Sequence, residues 1–367
     1  MTLPSSTRIG WFCSYTPIEI ILAAGLRPAR VSGHSQSIRK ADGYMHRNLC
    51  PYVRSCLDEA LDGHLDDFAG VVFVNSCDAM RRLYDAWRKY VGTKFTFLID
   101  LPREQRAEDY AYVRRELNRF RAALETAFSI EISDDSIARA IDELEASRDL
   151  HRRLLDLRKT RPPRLGGTEA AGLSSLFCHG DFVAWNDAAR RLLAGRTRAD
   201  SAETSAPAGQ DPAHAPSQQD QRRPRVVLAG SPIHGGDTFR LIEDCGLDLV
   251  YDDVCSGSRL FDVRVEKKSD VLLDLAGAYL NKPPCARMLM VEERTRRLAD
   301  LVREFSADGV IYHSLKFCDT NLYDAPVVKQ HLAEGGIRAL FIESDGTPGS
   351  FGQLRTRIEA FGEMIAT

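Results

Sequence analysis

Cysteine is the residue type with which this chain could bind a metal or carry redox chemistry. Four of its nine cysteines follow closely on short apolar segments that predict β-strands, namely Cys13, Cys77, Cys255 and Cys318. In open parallel sheets, ligands bind just beyond the carboxyl ends of the strands. Two of the four lie in each half of the chain, so their thiols could converge if the halves face each other across a cleft. Free cysteine is often a small buried hydrophobe, but packing gives core cysteines no reason to collect at strand ends.

The other cysteines are less regularly placed. Cys50 and Cys56 are separated by five residues, too many for a zinc-finger pair, and no C-x-x-C motif occurs. Cys285 lies in a rigid loop after two prolines and is a further candidate ligand. Cys178 and Cys245 fall in helical or turn segments without a motif, and we assign both to structure. A dedicated zinc fold is therefore not expected.

Alternating strands and helices must position these residues. Strand patterns occur at residues 8–12, 70–74, 95–99, 225–229, 248–251, 309–313 and 338–342. The continuous β-branched and aromatic run at 70–74 indicates a strand buried on both faces, and alternation with helical segments predicts a parallel α/β fold. We predict a first α/β domain, a helical segment, a disordered linker or insert, and a second α/β domain, at residues 1–102, 103–196, 197–224 and 225–367.

Three further side chains are candidates for proton transfer. Glu19 could act near a bound group, or it could close a capping box with Thr16 as N-cap and Pro17 at the first helical position. His313 ends a predicted strand, where a hydrogen-bonded core histidine is the alternative. His234 lies beside two glycines in a turn after a strand, and glycines let a ligand approach the backbone.

Composition and charge argue against several classes of protein. Apolar residues make up 44% and charged residues 28% of the chain, and the net charge of −3 gives no reason to expect nucleic-acid binding. The longest apolar run, at 18–26, is too short to span a membrane, and residues 1–10 lack the features of a signal peptide. We therefore expect a cytoplasmic protein, in which nine cysteines favour metal or redox chemistry over disulfide bonds.

Several motifs resemble those of a known family. They are CSYTPIE at 13–19, NLCP at 48–51, NSCD at 75–78, KFCD at 316–319 and the segment 352–361. In combination they resemble the 2-hydroxyacyl-CoA dehydratase and benzoyl-CoA reductase superfamily over nearly the whole chain outside 197–224. The resemblance implies two flavodoxin-like parallel-sheet domains, with a helical segment between them and an iron–sulfur cluster in the interdomain cleft.

In that superfamily, three cysteines hold a [4Fe–4S] cluster, and the motifs match them to Cys50, Cys77 and Cys318. Electrons come from a separate ATP-hydrolysing iron–sulfur activator. This chain has no G-x-x-x-x-G-K-S/T motif, so ATP hydrolysis is expected in that partner.

The surplus of cysteines is similar to that of the double-cubane proteins, in which two [4Fe–4S] units joined by a sulfide use six cysteines. The ligands expected for the second cubane are Cys13, Cys56 and Cys255, with Cys285 in reserve.

The resemblance favours a homodimeric, ATP-dependent reductase component that carries an [8Fe-9S] double-cubane cluster and reduces a small molecule. One alternative is a subunit of a 2-hydroxyacyl-CoA dehydratase or benzoyl-CoA reductase with one [4Fe–4S] cluster and an acyl-CoA substrate. Another is a non-enzymatic electron-transfer or cluster-storage protein. No nucleic acid or membrane is expected as a partner in any of the three.

Overall fold

The fold is built on two four-stranded parallel β-sheets. The computed structural model describes residues 7–33, 38–203, 222–268 and 270–366. The strands are β1 (Arg8–Trp11), β2 (Arg27–Arg30), β3 (Phe68–Val74), β4 (Phe95–Ile99), β5 (Arg225–Gly230), β6 (Asp248–Asp253), β7 (Gly309–Leu315) and β8 (Ala339–Ser344). The first sheet has the order β2-β1-β3-β4, the second has the order β6-β5-β7-β8, and every pair is parallel. The predicted α/β class with two parallel sheets is confirmed.

Helices cover the sheets and connect them. In the described ranges they are α1 (Ile18–Ala23), α2 (Pro51–Leu61), α3 (Asp78–Ala86), α4 (Ala107–Phe128), α5 (Asp134–Lys159), α6 (Gly167–Cys178), α7 (Phe182–Glu203), α8 (Asp237–Asp244), α9 (Val271–Asn281), α10 (Val291–Glu304), α11 (Asp319–Glu334) and α12 (Phe351–Ile365). None of these helices is both long and apolar enough to cross a bilayer.

Each sheet has one switch point, where successive strands are added on opposite sides of the first strand. In the first sheet β2 lies on one side of β1 and β3 on the other, and β6 and β7 flank β5 in the same way. A crevice for ligands forms outside the carboxyl ends of the strands at such a switch point. Both switch points therefore lie next to loops that carry cysteines, among them Cys13, Cys77 and Cys318.

Gly230 ends β5 at the second switch point, and only glycine fits there. Its φ is +117°, a conformation that side chains rarely adopt, and a Cβ would lie 2.0 Å from the carbonyl oxygen of His313. The backbone of β5 can thus approach β7 closely where both strands enter the crevice.

Four helices, α4 to α7, lie between the two sheets in the chain. They match the predicted helical segment, but α7 continues to Glu203, so residues 197–203 of the predicted linker are helical. Residues 204–221 of that linker lie outside the described residues. The domain boundaries themselves stay a prediction.

Helix α5 contacts both halves of the protein through buried ion pairs. The guanidinium of Arg148 lies 2.6 Å from Glu19 of α1, and that of Arg158 lies 2.6 Å from Asp252 of β6. All four side chains are at most 2% exposed. Because one pair reaches the first half and the other reaches the second, α5 fixes how the two sheets face each other.

The ion pair overturns the predicted capping box at Glu19. Pro17 is the N-cap of α1, rather than its first helical residue, and no side chain caps this end. The Glu19 carboxylate instead accepts hydrogen bonds from Arg148 and, at 2.8 Å, from the hydroxyl of Tyr279. The physical reason is burial: Glu19 is fully inaccessible, and a buried carboxylate is stable only when a cation and further donors surround it.

We predict that Arg148→Met lowers the free energy of unfolding by about 3–5 kcal/mol, because it leaves Glu19 buried without its cation. Denaturant unfolding of the metal-free protein measures this change. The matched control is the double variant Glu19→Leu with Arg148→Met, which removes both charges and should recover most of the loss. A double variant no more stable than Arg148→Met would contradict the assignment.

Candidate functional site

Six of the nine cysteines line one cavity between the carboxyl ends of the two sheets. Its volume is about 120 Å³, and the six are Cys13, Cys50, Cys77, Cys255, Cys285 and Cys318. Its wall also contains residues that end strands of both sheets, including Phe12 after β1 and Gly230 of β5. The structure therefore brings together all four strand-end cysteines that the sequence singled out.

Three of these cysteines form what we call the first triad: Cys50, Cys77 and Cys318. They occupy the N-cap positions of α2, α3 and α11, and none of their side chains caps its own helix. Cys50 and Cys318 share a hydrogen bond between their sulfurs, and Cys77 interacts electrostatically with both. Helix N-termini carry partial positive charge that stabilises thiolates. The first triad is therefore suited to hold sulfur in its ionised form.

One thiol of the first triad ionises unusually easily. Hydrogen bonding from Cys50, and then from Ser231 and Asn321, lowers the pKa of Cys318 to about 5 against the opposing effect of burial. The Asn321 amide nitrogen lies 3.2 Å from the Cys318 sulfur. The same shared hydrogen bond, followed by burial, raises the pKa of Cys50 well above its usual range. Cys318 is thus the thiolate of the pair.

The other three cysteines form the second triad: Cys13, Cys255 and Cys285. Burial raises the pKa of Cys13 to about 11, and the nearby Cys285 and Cys255 thiols add to this rise. Cys77 of the first triad also interacts with Cys285. The two triads therefore adjoin within one cavity.

Arginine side chains surround the second triad. Arg30 donates to the Cys255 carbonyl oxygen, and its guanidinium lies 3.5 Å from the Cys255 sulfur. Arg259 and Arg287 also line the cavity, and all three arginines are less than 9% exposed. Sequence reasoning missed these residues. Two of them follow a cysteine within four positions, which is the only local signal that they share.

The structure reverses the preference between Cys56 and Cys285. Cys56 is completely buried in the core, with its sulfur 4.0 Å from the carbonyl oxygen of Val31, and it does not line the cavity. Cys285 does line it. The geometry of the cavity therefore favours Cys285, the reserve candidate, over Cys56, and the choice of ligand stays a prediction. Cys178 and Cys245 do not line the cavity either.

The donor set suits a polynuclear cluster better than a single ion. No group of three or more His, Cys, Asp or Glu side chains in the described ranges is close enough to hold one metal ion. A tetrahedral zinc site needs its sulfurs about 2.3 Å from one point, whereas the six thiols surround a volume. Soft thiolates without imidazole partners are typical ligands of iron–sulfur clusters.

The two candidate histidines line a neighbouring cavity of about 280 Å³. Tyr52 and Pro232 belong to the walls of both cavities. His313 is 2% exposed, its Nε2 lies 2.8 Å from the Ser344 hydroxyl, and burial lowers its pKa to about 4. His234 stacks on the Tyr52 ring at 4.7 Å. Glu19 lines neither cavity.

The fold and the cavity together define a two-sheet α/β protein with a cysteine-lined site at its switch points. The sequence matches the family described as "2-hydroxyglutaryl-CoA dehydratase, D-component" over residues 13–365. The chain belongs to this family. It is therefore a component of an enzyme of the dehydratase and reductase class.

Individual relatives span almost the same length. The chain is similar to the (R)-phenyllactyl-CoA dehydratase beta subunit of Clostridium sporogenes, with 24% identity over 97% of this chain and 91% of the relative. It is 25% identical to the beta subunit of (R)-2-hydroxyglutaryl-CoA dehydratase from Acidaminococcus fermentans, over 97% of this chain and 92% of the relative. A benzoyl-CoA reductase component of Thauera aromatica is 23% identical over 99% of this chain and 92% of its own length.

We predict that Cys318 is alkylated at least about ten times faster than Cys13 or Cys178 in the metal-free, reduced protein at pH 7. Its pKa of about 5 makes it a thiolate at that pH, whereas burial raises the pKa of each of the other two to about 11. Iodoacetamide labelling followed by peptide mass spectrometry measures the rates. The rate at Cys318 should fall as the pH drops through about 5.

Asn321→Leu is the control, because it removes one donor to the Cys318 sulfur and should move that fall in rate to higher pH. Labelling of Cys13 or Cys178 as fast as Cys318 would contradict the arrangement of the first triad.

Proposed function

We propose that this chain is an iron–sulfur reductase component that carries a double-cubane [8Fe-9S] cluster, with one cubane on each triad. The observation that supports the proposal is the six thiols of one cavity, divided into two adjoining groups of three. A single [4Fe–4S] cluster on three cysteines would leave the second triad without a role. Three ligands per cubane and one shared sulfide account for every cysteine of the cavity.

When bound, the cluster would supply low-potential electrons and an iron site at which a small molecule can bind. The chain's own residues would control access of a substrate to the cluster cavity and would supply the protons for its reduction. Tyr52 separates the cluster cavity from the neighbouring cavity, and its hydroxyl is held by the carbonyl oxygens of Phe12 and Val31 at 2.9 and 3.0 Å. His313 is neutral at pH 7, because its pKa is about 4. His234 and His313 are the proposed proton-transfer groups for a substrate in that cavity.

The proposed partners follow from the superfamily resemblance and from the lack of a phosphate-binding loop motif in this sequence. Electrons would come from a separate iron–sulfur activator that hydrolyses ATP, and the component would work as a homodimer. The named relatives are subunits of CoA-ester dehydratases and of a benzoyl-CoA reductase. That family membership supports a second candidate, in which the chain is a dehydratase or reductase subunit with one [4Fe–4S] cluster on the first triad and an acyl-CoA substrate.

Iron and acid-labile sulfide counts separate the two candidates. With a double cubane, anaerobically purified protein should hold about eight irons per chain. Single substitution of Cys13, Cys255 or Cys285 by alanine should lower the count towards about four, because each removes a thiolate from the second cubane. Substitution of Cys50, Cys77 or Cys318 should degrade the cluster in either candidate.

Cys56→Ala and Cys178→Ala are the matched controls, since both thiols are buried and neither lines the cavity. Each should lose on the order of 1–3 kcal/mol of stability and no iron. Wild-type protein with about four irons, unchanged by the three second-triad substitutions, would refute the double cubane and leave the single-cluster subunit. Iron loss from Cys56→Ala alone among these variants would refute the assignment of Cys285.

The energy source gives a further prediction. The isolated chain, with its cluster intact, should not hydrolyse ATP, because it lacks a phosphate-binding loop motif. Phosphate release measured with and without a purified activator tests this. Turnover of ATP by the chain alone would rule out the two-component scheme while leaving the iron count unaffected.

A further inference from the structure

Two arginines beside the second triad are buried without a carboxylate partner. Arg30 is 7% exposed and contacts the carbonyl oxygen and the sulfur of Cys255. Arg287 is 4% exposed and donates to the carbonyl oxygens of Leu101 at 2.9 Å and Asn75 at 3.4 Å. Within the described ranges, no Asp or Glu forms an ion pair with either guanidinium.

This absence of carboxylates distinguishes the two arginines from the buried arginines of α5. Fully buried charges are stable only when an opposite charge or a full set of hydrogen bonds compensates for the lost water. Both α5 arginines have carboxylates at 2.6 Å, Arg148 with Glu19 and Arg158 with Asp252. The Nε atoms of all four arginines are buried without a hydrogen-bond partner in the described structure, so the missing carboxylates alone set Arg30 and Arg287 apart. Both side chains therefore point to an anion in the cavity that they line.

The positive charge of the arginines lies near the cysteines of the second triad. Arg30 contacts Cys255, and Arg287 is close enough to Cys13 to favour its thiolate. Both cysteines belong to the second triad. Arg259, which attracts Cys285, adds a third guanidinium, but Asp253 at 3.8 Å partly offsets its charge.

Among the described residues, the positive groups at the sulfurs of the first triad are weaker than a guanidinium. The side-chain donors to Cys318 are neutral, namely the Cys50 thiol, the Ser231 hydroxyl and the Asn321 amide. Helix N-termini offer about half a charge each. Asp78 and Asp319, in the first turns of α3 and α11, oppose two of those half charges. Full guanidinium charges at the second triad therefore outweigh the helix dipoles at the first.

We propose that Arg30 and Arg287 make the second triad the half of the site that takes up the first electron. This inference rests on the double-cubane cluster proposed above. One electron passes from the low-potential iron–sulfur activator, which is oxidised by one electron, to the cubane on the second triad, which is reduced by one. No bond forms or breaks and no proton is required, because the added negative charge lies beside two cations that have no carboxylate partner among the described residues. Net charge and hydrogen bonds to sulfur are the properties that set cluster potentials.

The test is an anaerobic redox titration of the purified, cluster-loaded protein, followed by electron paramagnetic resonance, with iron counted in every sample. Arg30→Met and Arg287→Met remove the charge and keep an unbranched, largely apolar stem that is shorter than the arginine side chain. Each should make the first reduction at least tenfold less favourable, which lowers its midpoint potential by about 59 mV for one electron. Arg30→Lys keeps the charge and should shift the midpoint by less than half as much.

Asn321→Leu is the matched variant at the first triad. It should change the equilibrium constant of the first reduction less than twofold. It leaves both arginines in place, so it can be interpreted even if a methionine variant assembles poorly. Two results would overturn this inference without affecting the proposed function. One is a tenfold change in the equilibrium constant of the first reduction in Asn321→Leu. The other is an unchanged first midpoint potential in both methionine variants when each holds eight irons. A wild-type count of four irons would instead refute the proposed function and this inference with it.

Discussion

The main physical constraint on the cavity is that burial opposes the ionisation of its thiols. Burial is the largest cause of the raised pKa of Cys13, Cys77 and Cys178, yet only thiolates ligate metal. The cavity compensates in three ways: helix N-termini at the first triad, a hydrogen bond shared by two of its sulfurs, and guanidiniums at the second triad. Cys178 and Cys56 do not line the cavity, and on the proposed assignment they would have no need to ionise.

The need to bring these positive groups together explains the architecture. In a parallel sheet, the carboxyl end of each strand leads into the N-terminus of a helix. Two such sheets with facing carboxyl ends direct several helix N-termini at one space. Helix α5 maintains this arrangement, because Arg148 and Arg158 form buried ion pairs with opposite halves of the protein. Glu19 follows Cys13 and Asp252 precedes Cys255 by a few residues, so the same helix also positions two cysteines of the second triad.

The sequence predicts those parts of the structure that depend on neighbours along the chain. Strand patterns identified seven of the eight described strands but missed the short edge strand β2, and the strand-end rule identified Cys13, Cys77, Cys255 and Cys318. The choice between Cys56 and Cys285 depended on the direction in which each side chain points. Cys56 lies six residues beyond Cys50 on α2, a rise of about 9 Å and a rotation well away from the N-cap face, so it points into the core.

Contacts between distant segments could not be predicted in this way. Glu19 fits a capping box locally, but its partner Arg148 lies 129 positions further along. Arg30 ends an edge strand and meets Cys255 from the other sheet, 225 positions away. A single sequence contains no signal for such a pair until the fold brings its members together.

The order of the ligands along the chain has a consequence for biosynthesis. The second triad ends with Cys285 and the first with Cys318, and in both the ligands come from both sheets. Neither site can therefore exist on a ribosome-bound fragment that contains only the first sheet. On the proposed cluster assignment, iron loading would be a maturation step of the nearly finished polypeptide, and the cysteines of the second triad would be complete before those of the first.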